Sequence, residues 1–477
     1  MPRVAPEALP SILSGGDYGY GVESTIWFIV GVLALIVGLG ISIGLHEWGH
    51  FYPAKRFGVG ITKFMVGFGP TLWSKKPGET EFGIKAIPLG GYVAMHGMFA
   101  PSERGPSEKG SIESGLSENR TSESARRRGG AGTDFAGLDD HDGPDEFDDS
   151  RSFYRLSVFR RIVIMLGGPV MNLLIAAVLY AVLLMGFGVV QPSLTVGSVS
   201  QCVLPATETR TDCRPGDPAA PGNQAGMEPG DVILAVDGQD VDSWLVLTEI
   251  IQDHPGDTLS LTIDREGTTR DIRVTPLLTE RFAMDSRGQV DVDANGDPVV
   301  EAVGFVGIGA ALETARQPVT QVPVAIWDNV EGVTRVIVTL PQRMVQVSQA
   351  AFGEDERDPN GPISVVGVGR IAGEIASIDD IENHDRIAGF IGLLASLNIA
   401  LFVFNLIPLL PLDGGHVAVA LIDGIRRKAA SIRGSPPPNP TNPQKLMPLT
   451  LVVVAALISM SVLLMYADIV NPISLIQ

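Results

Sequence analysis

Ile26-Trp-Phe-Ile-Val-Gly-Val-Leu-Ala-Leu-Ile-Val-Gly-Leu-Gly-Ile-Ser-Ile-Gly-Leu45, followed at once by His46-Glu47-Trp48-Gly49-His50, decides how the rest of the chain is read. The stretch to Leu45 carries no charge, and at about 1.5 Å per residue a helix of that length crosses a hydrocarbon core. The next five residues place two imidazoles at i and i+4, one above the other on a helix face, where both reach a single zinc ion. Glu47 lies about 100° round the helix from His46. It therefore addresses a metal-bound water without displacing it, as the base of a metalloprotease must. HExxH also arises by chance on ordinary amphipathic helices. Here three ionisable groups crowd into little more than one turn at the end of an apolar span, where such groups are costly and usually functional.

Three further uncharged stretches, Ile162 to Gln191, Ile387 to Leu412 and Leu446 to Ala467, each fit one spanning helix. A cleavable signal peptide is the rival reading of the first. Glu7, Asp17 and Glu23 before it are not a basic leader, so the span is expected to be retained. Lys55, Arg56, Lys63, Lys75 and Lys76 follow span one, and Arg155, Arg160 and Arg161 precede span two. Arg426, Arg427, Lys428 and Arg433 lie between spans three and four. With four spans all three clusters fall on one side, which the positive-inside rule makes the cytoplasm. Both termini and the long segment between spans two and three then lie outside it, in a multi-pass protein of the cell membrane.

The 477 residues hold 35 basic against 54 acidic side chains, net −19, which argues against a nucleic-acid partner. Cys202 and Cys213 have no CxxC partner, so a cysteine zinc site is excluded. In an extracytoplasmic segment they are free to form a short disulfide loop, or they stay as two thiols. Around them, runs such as Asp231-Val-Ile-Leu-Ala-Val and Leu259-Ser-Leu-Thr-Ile alternate with turn residues, the pattern of a small β-rich domain. Val322 to Ser348 mixes apolar and charged positions and reads as one amphipathic helix, on the membrane or on the soluble domain. Residues 101–149, rich in Ser, Glu, Gly and Asp, bury too little to offset chain entropy and read as a disordered insertion.

A catalytic zinc takes three protein ligands and keeps a position for water. The first carboxylate after the third span is Asp413, in Asn405-Leu-Ile-Pro-Leu-Leu-Pro-Leu-Asp-Gly-Gly-His416, at the same cytoplasmic end as His46 and His50. Pro408 and Pro411 break the helix there, and Gly414 and Gly415 admit a close approach. His416 competes for the role, and spacing alone does not choose between them.

The chain resembles the site-2 protease family of intramembrane zinc metalloproteases, in its bacterial branch that cleaves membrane-anchored anti-sigma factors. The resemblance rests on His46-Glu47-x-x-His50, Asn405-x-x-Pro408-x-x-x-x-Asp413-Gly414, Gly168-Pro169-x-x-Asn172 and Gly361-Pro-Ile-Ser364. It implies Zn2+ held by His46, His50 and Asp413, with Glu47 as base. Asn405 then orients substrate or stabilises an oxyanion, unless it only satisfies broken helix backbone. Asn172 meets substrate or serves as interhelical glue. Phe64 to Pro70 and Phe82 to Tyr92 become a membrane-associated β-hairpin beside the zinc, with Gly67 and Gly69 meeting an unwound substrate by strand addition; a plain cytoplasmic hairpin is the alternative. Gln224 to Gly238 looks like the signature of one PDZ domain.

The expected fold is thus a polytopic α-helical membrane protein with four transmembrane helices, that hairpin, and one extracytoplasmic PDZ-like α+β domain. Its parts are the N-terminus 1–23, span one 24–52, the hairpin 60–98, the insertion 99–150 and span two 157–191. The PDZ-like domain 193–312, connecting helices 313–385, span three with the aspartate 386–415, a cytoplasmic loop 416–445 and span four 446–468 follow. The implied partner besides the bilayer is a transmembrane substrate, an anti-sigma factor already trimmed outside. A scaffold with a vestigial HExxH and a metal transporter are the competing classes. The presence of every catalytic residue type lowers the first, and the scarcity of polar positions in spans two and four lowers the second.

Overall fold

The computed structural model describes residues 22–98 and 149–473, apart from 206–207, 209, 211, 284–289, 291–297, 354–356, 358–360, 379–381, 437, 440 and 442–445. The N-terminus before residue 22 and nearly all of the acidic insertion therefore lie outside the described residues. The chain divides into two compact units, 188–317 and the remainder.

In the larger unit, α1 (Val22–Arg56) carries the first span and continues as one helix through the HExxH turn. Ile29, Leu33, Val37 and Ile41 on it are 51–60% exposed, an apolar stripe suited to acyl chains and not to water. Next come β1 (Ile61–Lys75) and β2 (Glu81–Met95). They form more than the simple hairpin expected. Residues 61–66 pair on one side with 91–95 and on the other with 81–84, and 71–75 add to 82–85, so two bent strands make a four-segment sheet. Gly67 and Gly69, at φ of 95° and 81°, supply the bend in β1. Phe51, Ala54, Ile61, Phe64, Ile164 and Met165 pack the sheet between α1 and α2 (Val158–Ala181), whose N-cap Ser157 accepts from the Arg160 amide. Helix α2 ends in a π-helical turn, Val182–Phe187.

The unit 188–317 opens with β3 (Val189–Val199), so Val189 to Gln191, read as the tail of span two, belong to a strand. A short helix α3 (Pro221–Gln224), β4 (Val232–Val236), β5 (Gln239–Asp240), α4 (Trp244–Asp253), β6 (Leu259–Arg265), β7 (Thr268–Val274), β8 (Leu277–Phe282), β9 (Val300–Phe305) and β10 (Ile308–Ala315) follow. The sheet runs β10-β3-β4-β6-β7 with β5 on β4, and β8 and β9 form a separate ribbon. Ile233 and Val236 of β4 and the alternate residues Leu259, Leu261 and Ile263 of β6 meet Val196, Leu247, Ile251 and Val306 in one core. Cys202 and Cys213 are joined in a disulfide.

Back in the larger unit, the amphipathic stretch from Val322 is two helices, α5 (Gln321–Val338) and α6 (Leu340–Phe352). The break falls where Pro341 cannot donate a backbone hydrogen bond to α5 and starts a new first turn. Ser364 of Gly361-Pro-Ile-Ser364 caps α7 (Val365–Ser377) and gives its own N–H to Asp468. Span three is α8 (Asn383–Asn405), which stops before Pro408, short of the boundary read from hydropathy. The stretch 416–445, read as a loop, is mostly helix: α9 (Asp413–Ile432) begins at the candidate ligand itself. Span four is α10 (Met447–Val470). Among the described residues, four helices are long and apolar enough to cross a membrane: α1, α2 with its π turn, α8 and α10.

Candidate metal centre

Helical spacing brings His46 and His50 together near the C-terminal end of α1, with their Nε2 atoms 3.2 Å apart. Asp413, the first residue of α9, sets Oδ2 at 3.4 Å from His46 Nε2 and 3.3 Å from His50 Nε2. Donors arranged tetrahedrally about zinc at about 2.0–2.1 Å stand about 3.3–3.4 Å apart, so the three atoms outline one face of such a site. Asp413 Oδ2 is buried without a hydrogen-bond partner, the state of an acceptor reserved for a cation. The residues present fit zinc. Among the described residues this is the cluster of His, Cys, Asp and Glu close enough to share an ion, and His416 is not in it.

Helix α2 contributes none of the three clustered side chains but fixes the attitudes of the two imidazoles. The Ile164 carbonyl accepts from His50 Nδ1 at 2.8 Å, which leaves the Nε2 lone pair for the metal. Asn172 Nδ2 lies 3.1 Å from His46 Nδ1 while its Oδ1 is buried with no partner. Turning the amide over satisfies both: Oδ1 accepts from Nδ1–H, and His46 Nε2 is freed for metal. Asn172 is wholly buried, behind His46. The helices touch at glycines. A Cβ at Gly49 would meet the Gly167 carbonyl at 2.2 Å, and one at Gly168 would meet His50 Nε2 at 2.2 Å and His46 Nε2 at 2.7 Å.

Asp413 is held by its own tight turn and by an anchor farther along α9. A Cβ at Gly414 would strike the Ile407 carbonyl at 2.4 Å and one at Gly415 the Leu410 nitrogen at 2.5 Å, so only glycines let the chain double back here. Arg161 of α2 donates both Nη atoms to Asp423 Oδ2 at 3.1 Å, and Thr441 donates to the other carboxylate oxygen. Both charged partners are almost fully buried.

Glu47 is buried beside the strand edge: a Cβ at Gly91 would sit 2.7 Å from its Cγ and 3.0 Å from Oε1. Gly67 and Gly69 stand elsewhere, at the bend, where a Cβ on Gly67 would meet the Ile87 and Lys85 carbonyls. Asn405 ends α8, and no side-chain hydrogen bond links it to His46, Glu47, His50 or Asp413. The residues that sequence reasoning missed are Gly91, Ile164, Arg161 and Asp423. A Gly90-Gly91 pair inside a strand pattern was the available signal for the first; the others act through a carbonyl or a distant partner and left none.

This architecture, helices closing on a two-histidine, one-aspartate cluster with an adjacent glutamate, is that of a membrane metallopeptidase, and the chain belongs to peptidase family M50, whose model matches residues 34–436. It is a multi-pass membrane zinc metalloprotease of the site-2 type, with Zn2+ as its cofactor. It is 32% identical over 460 residues to zinc metalloprotease Rip1 of Mycobacterium tuberculosis (strain ATCC 25618 / H37Rv), covering 94% of this chain and 100% of that protein. Rip1 of Mycolicibacterium smegmatis is 30% identical over 462 residues, with the same coverage. Metalloprotease MmpA of Caulobacter vibrioides is 27% identical over 414 residues, 84% of this chain and 89% of that protein.

Proposed function

We propose that His46, His50 and Asp413 hold the zinc, that Glu47 is the general base, and that the enzyme cuts the membrane span of an anti-sigma factor already trimmed outside. The observation that carries the reading is the triangle of donor atoms with edges of 3.2–3.4 Å next to a buried glutamate. Zinc, when bound, supplies the Lewis acidity that polarises a scissile carbonyl and acidifies water. Glu47 takes the proton of the attacking water on a carboxylate oxygen and returns it to the leaving amine nitrogen. The main chain at Gly91, bare of any side chain, lets an extended substrate lie against Glu47 by adding to the sheet edge. A helix hides its carbonyls, so the substrate unwinds first, and helix-breaking residues in it favour cleavage. Asn405 orients the substrate as α8 ends.

The basic clusters support a site on the cytoplasmic side, and a disulfide in the 188–317 unit suits an oxidising compartment outside. That unit is read as one PDZ-like domain that screens substrates. Glu47→Gln is expected to reduce cleavage at least a thousandfold while zinc content stays near one per chain. In cells the stabilised membrane stub would then be an anti-sigma factor. Unchanged proteolysis rejects the assigned base, and a stub of another class rejects the substrate.

A further inference from the structure

Helix α9 is sided. One flank lies against α2, where Asp423 pairs with Arg161 and a Cβ at Gly424 would stand 3.2 Å from Val158. Away from that flank Leu421, Ile422, Ile425 and Ile432 are 49–77% exposed. At about 100° per residue these four fall within one stripe about 100° wide, with Arg426 and Arg433 along one edge and Lys428 on the other. Arg426 donates to Thr441 and lies 3.9 Å from Asp423, and no carboxylate among the described residues pairs with Lys428 or Arg433. From His416 to Lys445 the sequence holds no acid besides the buried Asp423, so the segment does not neutralise its own basic edges. The helix before it, α8, and the helix after it, α10, are two of the four apolar enough to cross a membrane, so α9 joins their ends at one membrane face.

We propose that α9 docks on the bilayer itself, with Leu421, Ile425 and Ile432 among acyl chains at the headgroup boundary and Arg426, Lys428 and Arg433 on the phosphates of anionic phospholipids. Charge chooses the occupant. A second copy of the same stripe would set like charges edge to edge, and a neutral apolar partner would leave the basic edges unmatched, whereas an anionic headgroup layer over acyl chains satisfies both. Long basic side chains reach from the edge of such a stripe to the phosphates while their stems stay on apolar surface. Asp413 is the first residue of this helix, so the lipid surface becomes a support for that carboxylate beside the one Arg161 gives. The docking surface contains none of the clustered metal-site side chains, and the proposal stands whichever substrate is cut.

The test uses the full-length protein with Ile425→Cys carrying a thiol-reactive fluorophore; Cys202 and Cys213 are joined to each other and do not take the label. The protein is reconstituted in phosphatidylcholine vesicles containing a small fraction of brominated lipid, either phosphatidylcholine or phosphatidylglycerol, whose acyl-chain bromines quench on contact. The composition is the same in both leaflets, so the result does not depend on which side of the membrane α9 occupies. Both lipids are expected to quench the label, with phosphatidylglycerol doing so at about a third of the mole fraction, because each basic side chain near an anionic surface adds attraction. That preference is expected to fade in the same protein as salt rises from about 0.05 M to about 0.5 M. It is also expected to fall by about half or more in Lys428→Gln with Arg433→Gln, whose wild-type zinc content shows that it is folded. No quenching by either lipid, equal quenching by both, a preference indifferent to salt, or one that persists in the folded double variant overturns the proposal. So does a label shielded from lipid and from aqueous iodide alike, which puts a second copy of the chain on the stripe.

Discussion

Gly168 and Asn172 show how finely single residues set the zinc centre. Gly168→Ala puts a methyl 2.2 Å from His50 Nε2, and the imidazole has nowhere to retreat while the Ile164 carbonyl holds its other nitrogen. The variant is expected to be purified with less than about a tenth of the wild-type zinc, read by metal analysis, because metal-ligand geometry tolerates only about 0.2 Å. Asn172→Ala removes the partner of His46 Nδ1 and is expected to weaken zinc binding about 10–100-fold in chelator competition, with KM for a cleaved substrate unchanged. A raised KM at unaltered zinc affinity would return Asn172 to the substrate surface. The sequence displayed that Asn172 is polar within an apolar span, but not which neighbour it serves. A one-dimensional pattern reveals a cost and leaves the compensation to the fold. His46 and His50 were legible because helical geometry joins them locally; Asp413 needed the breaker residues around it, and His416 was separable only in three dimensions.

Elements rather than residues decide where Asp413 sits. In the sequence of α9 the charges Arg426 to Lys428 mask the apolar positions Val417 and Ala420, and no capping side chain marks its start. Its tether to α2 is a buried ion pair whose partners lie far apart in sequence, invisible to any local pattern. Arg161→Met or Asp423→Asn strands one buried charge and is expected to cost about 3–5 kcal/mol in denaturant unfolding. The double variant Arg161→Met with Asp423→Leu is expected to recover most of that loss, since well-packed apolar side chains replace such pairs at little cost. The four-segment sheet was half legible: the family resemblance marked β1 and β2, while the positive-φ glycines that fold them over were visible only as glycines.

At the scale of the whole molecule, uncharged length located four spanning helices, since nothing else in a protein is so apolar for so long. The 188–317 unit was legible as β-rich from its turns, and its strand order was not. That unit carries a pH dependence of its own. Asp231 is held below the usual carboxylate range chiefly by hydrogen bonds from Arg265, and its burial opposes the shift. A lowered folded pKa gives stability that is complete above about pH 4 and lost as acid protonates the native carboxylate. The melting temperature of this unit is expected to fall as the pH drops below about 4, and Asp231→Asn to flatten that slope while lowering the plateau at neutral pH.

Arg161, Ile164, Gly168 and Asn172 recur at intervals of three or four, so they run as a single line down one flank of α2, which supplies none of the three clustered side chains. An unbiased screen for inactive alleles would therefore trace that flank as a row of evenly spaced hits, as a watermark shows only against the light, and the row would report how the helices register against one another.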